Sequence, residues 1–301
     1  MRRRISLQAK KESIKHQALG LGFCSARILS SPGIEDAASL LLVGLAYGND
    51  GENERCVGTE LDKRVHIAPF ARKNYYAEAV YRLKALSRSL REEHGGKKAD
   101  YRIFCNSSRA EKPLAARSGL GAVGRNSLII SKEAGSLLVL AAMCLPFALE
   151  GDPAIQGDFS FCSGCGDAAT APCVLACPTQ ALNGDGTLIR ERCIQWYASG
   201  NRQVGMIEVP DFVASQWGRR LYGCTNCQDA CPHNKRPLRG AEAKLGELQS
   251  SYDALSLLSM SDEELTELFK GSALGMSWLG TEILRENIRL ALRWMEAQAG
   301  L

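Results

Sequence analysis

The stretch Phe161–Leu182, FCSGCGDAATAPCVLACPTQAL, decides how this chain is read. Its four cysteines and closing Cys-Pro-Thr resemble half of a bacterial ferredoxin, whose run is C-x2-C-x2-C-x3-C-P. Here seven residues, GDAATAP, separate Cys165 from Cys173 where that run has two. The cost of closing a loop grows only as (3/2)RT ln n, so the lengthening costs about 1 kcal/mol. Iron–thiolate bonding is far stronger than that. Gly166, Asp167 and Pro172 suit an excursion that returns to its starting point. The stretch is therefore expected to remain a cluster site.

A second motif, YGCTNCQDACPHNK, supplies Cys224, Cys227 and Cys231 followed by Pro232, and Cys193 sits between the motifs in RERCIQWY. With Cys162, Cys165, Cys173 and Cys177 this makes eight thiols, the number that two [4Fe-4S] clusters require. One tight turn reaches two or three corners of an iron–sulfur cube, so the last ligand must come from elsewhere in the chain. In two-cluster ferredoxins the fourth cysteine of a run crosses to the other cluster. The expected sets are Cys162, Cys165, Cys173 and Cys231 for one cluster, and Cys177, Cys193, Cys224 and Cys227 for the other. Two four-cysteine zinc sites are the competing reading; the repeated C-x3-C-P ending and the isolated Cys193 favour clusters.

The chain has 301 residues, enough for one large domain or two ordinary ones. Twelve cysteines, eight of them between Cys162 and Cys231, point to metal ligation in a cytoplasmic protein rather than to a disulfide framework. Cys24, Cys56 and Cys144 read as packing residues. The net charge of +4 does not by itself call for a nucleic-acid partner, although MRRRISLQAKK and NKRPLRG are locally basic. The longest uncharged run, residues 134–149, is too short to cross a bilayer and contains Pro146, so no membrane association is expected. MRRRIS is followed by no apolar segment, which argues against twin-arginine export.

Helical periodicity covers residues 5–22 and 74–96, the latter bringing Ala77, Val80, Tyr81, Leu83 and Lys84 within helical reach of one another. SLLLVGLAYG (39–48) and DYRIFCNSS (100–108) read as strands, and the two apolar segments within 117–145 as a strand pair. At the C-terminal end, Ser261 and Glu264 form a capping-box pattern, and residues 281–298 a helix with Leu284, Ile288, Ala291 and Met295 along one face. The expected fold is an α/β (α+β) cofactor-binding domain over residues 1–155. A ferredoxin-like double-cluster domain over 156–240 and a helical tail over 241–301 follow.

Several phrases occur in the order found in epoxyqueuosine reductases: Ser118-Gly119-Leu120-Gly121, Gly124-Arg125-Asn126, Gly135-Ser136, CPTQAL, RCIQWY, YGCTNCQDACPHN and LRENIRLAL (284–292). The chain resembles that family over roughly residues 60–235. The resemblance implies a cobalamin bound in the N-terminal domain and fed with electrons through the clusters by an external ferredoxin- or flavodoxin-type donor. It also implies a tRNA substrate whose epoxide is reduced to an alkene.

Where the family carries an Asp-Thr-Gly-Pro phrase with a proton-donating Asp, this chain has Cys105 and Asn106, and the family's following Glu-Arg becomes Glu111-Lys112. Its Asp-Tyr-His becomes Asn74-Tyr75-Tyr76, and the basic patch before the final helix becomes the nearly uncharged SALGMSWLGTEI. The proton donor is thus expected at Cys105 or Tyr76, with a buried packing role the alternative for Cys105. Gly119, Gly121, Gly124 and Asn126 are expected either to approach the cofactor or to form a tight turn. His233 is expected beside a cluster. The competing function is a divergent corrinoid and iron–sulfur electron-transfer or reactivation protein without a tRNA substrate.

Overall fold

The computed structural model describes residues 6–48, 62–107, 111–157, 160–199, 208–236, 238–243 and 245–299. Cys56 and the first five residues of the basic N-terminus lie outside them. Helix α1 (Leu7–Gly20) starts at Ser6, whose hydroxyl accepts the Ala9 N–H. Strands β1 (Ser25–Ser30), β2 (Ser39–Ala46) and β3 (Arg64–Ile67) follow. Helix α2 (Tyr75–His94) is capped by the Asn74 side chain, which accepts the Ala77 N–H. Strand β4 (Ile103–Phe104), helix α3 (Glu111–Arg117), strands β5 (Ala122–Val123) and β6 (Ile129–Ile130), and strand β7 (Leu138–Leu145) complete the first half.

The main sheet has the order β1-β2-β7-β4, and every pair in it is antiparallel. Side chains alternate across a strand, so Leu41, Val43 and Leu45 of β2 enter a core with α1 and α2. Leu40 and Leu42 enter a second core with Leu120, Ile129 and Cys144 on the opposite face. Burying such side chains stabilises by about 1.5–3 kcal/mol each. The apolar segments of 117–145 do not pair with each other. A turn at Gly124–Ser127 folds β6 onto β5, while β7, buried on both faces, lies between β2 and β4. The strand expected over 100–108 shortens to two residues. On α2 the inward side chains include Tyr75, Ala79, Leu83, Leu86 and Leu90; Tyr81 faces outward and is 62% exposed. Cys144 is fully buried in a core, and the Cys24 thiol donates to the Gly44 carbonyl.

Beyond Leu145 the elements are short: α4 (Pro172–Leu175), α5 (Ile194–Ala198), α6 (Asp211–Ala214), β8 (Arg220–Tyr222), α7 (Asn226–Asp229) and β9 (Ser251–Asp253). Helices α8 (Ala254–Ser259), α9 (Asp262–Phe269) and α10 (Thr281–Ala299) follow, α9 beginning at the expected Ser261–Glu264 capping box. A second sheet, β8-β3-β9, joins three distant parts of the sequence. Its core likewise gathers Val65 and Ile67 from the first half, Tyr197 and Trp217 from the Cys-rich region, and Phe269 and Ile288 from the tail. Three consecutive stretches of chain are therefore interleaved in one packed core. Among the described residues, no helix is long and apolar enough to cross a membrane.

Candidate functional site

The eight clustered cysteines fall into two groups. Cys162, Cys165, Cys173 and Cys231 line one small cavity together with Asn126 and Ile130. Cys177, Cys193, Cys224 and Cys227 lie in the wall of a larger one. The crossing is local: α4 carries Cys173 and ends just before Cys177, α7 carries Cys227 and ends just before Cys231, and the two helices pack together. Each Cys-Pro step follows directly, Pro232 opening a new turn. Among the described residues, no three His, Cys, Asp or Glu side chains converge on a single metal ion. The thiols stand instead around a space.

Electrostatics fit that donor set. Burial, and then the charge of neighbouring thiols, pushes Cys173 up to about 11, and Cys227 is raised well above the ordinary range for the same reasons. Thiols held like this resist ionising together, and a bound cation reverses the balance by deprotonating its ligands outright. The backbone adds a donor at one of them, the Ala181 N–H lying 3.2 Å from Cys177 Sγ.

The seven-residue insertion closes on itself. Asp167 Oδ1 accepts the Thr170 N–H at 2.8 Å, the Thr170 hydroxyl at 2.7 Å and the Ala169 N–H at 3.0 Å. Arg125 holds the excursion from the β5–β6 turn, donating to the Gly184 carbonyl at 2.8 Å and the Gly166 carbonyl at 3.3 Å. Cys165 and Cys173 are left on the same small cavity.

The larger cavity, about 440 Å³, lies between the end of the main sheet and the second thiol group. Leu138, Val139 and Leu140 of β7 give it an apolar wall, Tyr47, Phe70 and Tyr76 an aromatic one. A buried polar network fastens the two sides together. Gln228 Nε2 donates to the Tyr47 hydroxyl at 2.6 Å and the Ser136 carbonyl at 2.8 Å. Asn234 Nδ2 donates to the Ser136 hydroxyl at 2.9 Å and the Gln228 carbonyl at 2.8 Å, and Asn234 Oδ1 accepts the Ser136 N–H. Removing one member of such a network leaves its buried partners unsatisfied.

The residues singled out above are placed unequally. Asn126 lines both cavities and is 3% exposed; its Oδ1 accepts the Leu128 N–H, while its Nδ2 has no partner among the described residues. Tyr76 lines the larger cavity and packs edge-on against Trp278, whereas Tyr75 points inward and donates to the Tyr47 carbonyl. Burial raises the Tyr76 phenol above its ordinary range.

Gly119, Gly121 and Gly124 are absent from the cavity wall. Gly119 has φ +71°, and a Cβ there would stand 2.1 Å from the Pro153 carbonyl oxygen. Gly121 and Gly124 are pressed against Ile130. The contacts described for these glycines are those of tight packing and a turn. Cys105 is also off the wall. Its thiol donates to the Leu140 carbonyl at 3.5 Å, and burial followed by the nearby Glu111 charge pushes it up to about 12. His233 lies beside the first thiol group, its ring edge-on to Phe161. Sequence reasoning missed Tyr47, Gln228 and Glu111 as cavity residues. The Cys-Gln pair of the second motif was a visible signal for Gln228.

A family described as the 4Fe-4S double cluster binding domain matches residues 161–234. An epoxyqueuosine reductase of Lactococcus garvieae is 30% identical over 266 residues, covering 86% of this chain and 70% of that protein. One from Aliivibrio fischeri is 29% identical over 205 residues, 67% of this chain and 52% of that protein. The chain thus spans about half to 70% of the length of these relatives. A crystal structure of a selenomethionine-labelled epoxyqueuosine reductase superimposes with a TM-score of 0.80 at 23% identity, covering 97% of this chain and 83% of that one. Another, with an epoxyqueuosine-modified tRNA-Tyr stem loop, gives 0.79 at 24% identity over 98% and 84%. Paired thiol quartets, a cavity walled by one of them, and a relative this similar over most of its length lead to one conclusion: the chain belongs to the epoxyqueuosine reductase family.

Proposed function

We propose that this chain is a cytoplasmic iron–sulfur reductase that removes the oxygen of an epoxide on a tRNA nucleoside, epoxyqueuosine, to leave the alkene of queuosine. The observation that carries this reading is the placement of Cys177, Cys193, Cys224 and Cys227 in the wall of a 440 Å³ cavity, with the other four thiols behind them. A cluster at Cys162, Cys165, Cys173 and Cys231 would receive electrons one at a time from a ferredoxin- or flavodoxin-type protein. The cluster at the cavity would pass them on.

Cobalamin is the cofactor that suits the cavity. Its apolar strand wall and aromatic wall offer flat surfaces to a macrocycle. Leu138 to Leu140, Tyr47 and Tyr76 would hold the ring, and the partnerless Nδ2 of Asn126 would donate to a group bound between the two cavities. When bound, cobalamin supplies a low-valent cobalt able to deliver electrons to a carbon–oxygen bond. The protein's share is to position the epoxide against it, keep water out and supply protons. Lys112, the only cation on the cavity wall among the described residues, donates to the Ser127 carbonyl at 3.0 Å and is placed to meet a phosphate of the tRNA.

The second reading, an electron-transfer or corrinoid-reactivation protein without an RNA substrate, draws on one observation: residues 272–283 carry no basic side chain. Anaerobically reconstituted protein, incubated with cobalamin, a low-potential one-electron donor and an epoxyqueuosine-bearing tRNA stem loop, decides between them. Queuosine in the digested RNA is the expected result. Cobalamin binding without product supports the second reading, and failure to bind cobalamin at all overturns the first.

A further inference from the structure

We propose that Glu111 is the acid that protonates the epoxide oxygen in this cavity, an assignment resting on the epoxide-reductase reading above. In the balanced reaction both carbon–oxygen bonds break and a carbon–carbon π bond forms. Two electrons arrive through the clusters from the one-electron donor protein, and the oxygen leaves with two protons as water. An oxygen departing as a bare alkoxide is a poor leaving group, so a group on the wall must give it a proton as its bond breaks.

The cavity offers few such groups. Among the described residues on its wall, Glu111 is the sole carboxyl and Lys112 the sole cation. Lys112 directs one N–H at the Ser127 carbonyl and, in the reading above, turns to a phosphate of the tRNA, and the Tyr47 hydroxyl belongs to the Gln228 and Ser136 network. The thiols on the wall are cluster ligands. Cys105 is off the wall, and Tyr76 holds its proton more tightly than an ordinary phenol because it is buried.

Glu111 is also held as a donor should be. Its Oε1 accepts both the N–H and the hydroxyl of Ser107, each at 3.0 Å, which fixes the carboxyl on the wall. Its Oε2 has no hydrogen-bond partner among the described residues and is the oxygen that carries the proton. The groups facing it are Tyr76 from α2, Cys105 after β4, and Lys112 on its own helix.

Glu111→Gln tests the assignment, because the amide still accepts from Ser107 but has no acidic proton. Turnover of the epoxyqueuosine-bearing stem loop should fall at least about a hundredfold, with unchanged iron content, cobalamin binding and rate of cofactor reduction by the donor. Glu111→Asp, which keeps an acidic proton, should recover part of the rate that E111Q loses. E111Q turning over within about fivefold of an active wild-type protein overturns the assignment and leaves the reductase reading standing. So does loss of cobalamin binding in E111Q, which would make the residue structural. A wild-type protein that makes no queuosine while its clusters and cobalamin are intact overturns both.

Discussion

Strand β2 buries all eight of its residues, whereas α4 and α7, which lie at the heart of the thiol region, are four residues long each. The main sheet carries an apolar layer on both faces and needs nothing but its own side chains. The thiol region has short turns, buried polar groups and cysteines whose pKa values are raised by burial and by one another. A helix of four residues has no stability of its own in water. Order there rests on the core around Trp217, on the Gln228 and Asn234 network and on ligation, and the sheet serves as the fixed surface against which that order is built.

Breaking the thiol side should have the largest effect. Cys227→Ser removes one ligand of the quartet at the cavity. About half of the iron and sulfide should be lost, since two clusters share eight thiolates, and turnover with them. Hydrogen exchange should stay slow in β2 and β7 while rising in α4 and α7. Equal loosening of both regions would show that the sheet is not independent.

The sheet side breaks at a buried charge instead. Asp152 lies 2.8 Å from Lys11 and 3.1 Å from Lys15, with side chains 7–16% exposed, and accepts the Ile28 N–H at 2.7 Å. Asp152→Asn strands Lys11 unpaired and should cost about 3–5 kcal/mol, measured by denaturant unfolding. Iron content of the folded protein should not change.

A smaller loss is expected from Gly119→Ala. The left-handed φ and the Pro153 carbonyl in the way of a Cβ should cost about 2–3 kcal/mol. The visible spectrum of cobalamin added to the protein should match that seen with wild type; a shifted spectrum would return the glycine to the proposed cofactor site.

Cys105→Ala should do least, costing under about 1 kcal/mol and leaving turnover intact. With its pKa pushed up to about 12, the native thiol at pH 8 holds its proton, and alkylation should be about a thousandfold slower than for an ordinary cysteine. Because the folded-state value is raised, this burial contributes stability below about pH 9. The contribution is lost as pH climbs toward the folded value. Rapid labelling at pH 8 would place the thiol in the cavity after all.

The metal side was the more legible of the two from sequence, because ligand spacing is a one-dimensional record of geometry. Two C-x3-C-P endings and a lone Cys193 pair the thiols without any knowledge of the sheet. The cofactor side was obscure for the opposite reason. Which glycine touches a ligand and which merely lets a strand pass depends on neighbours such as Pro153 and Ile130, and no spacing rule points to them. Counting along a family motif points to Cys105, but a wall is defined in three dimensions, and Glu111, in the first turn of α3, lies on it. Tyr47 was hidden in the end of a strand read only as core.

The sheet β8-β3-β9 has a consequence for how the chain is made. Residues 64–67 leave the ribosome long before residues 220–222 and 251–253, their only partners in that sheet among the described residues. At a synthesis rate of about 5–20 residues per second, β3 waits roughly eight to thirty seconds with both edges open. The nascent protein therefore passes through a period in which its first sheet can be finished and its metal-binding half cannot.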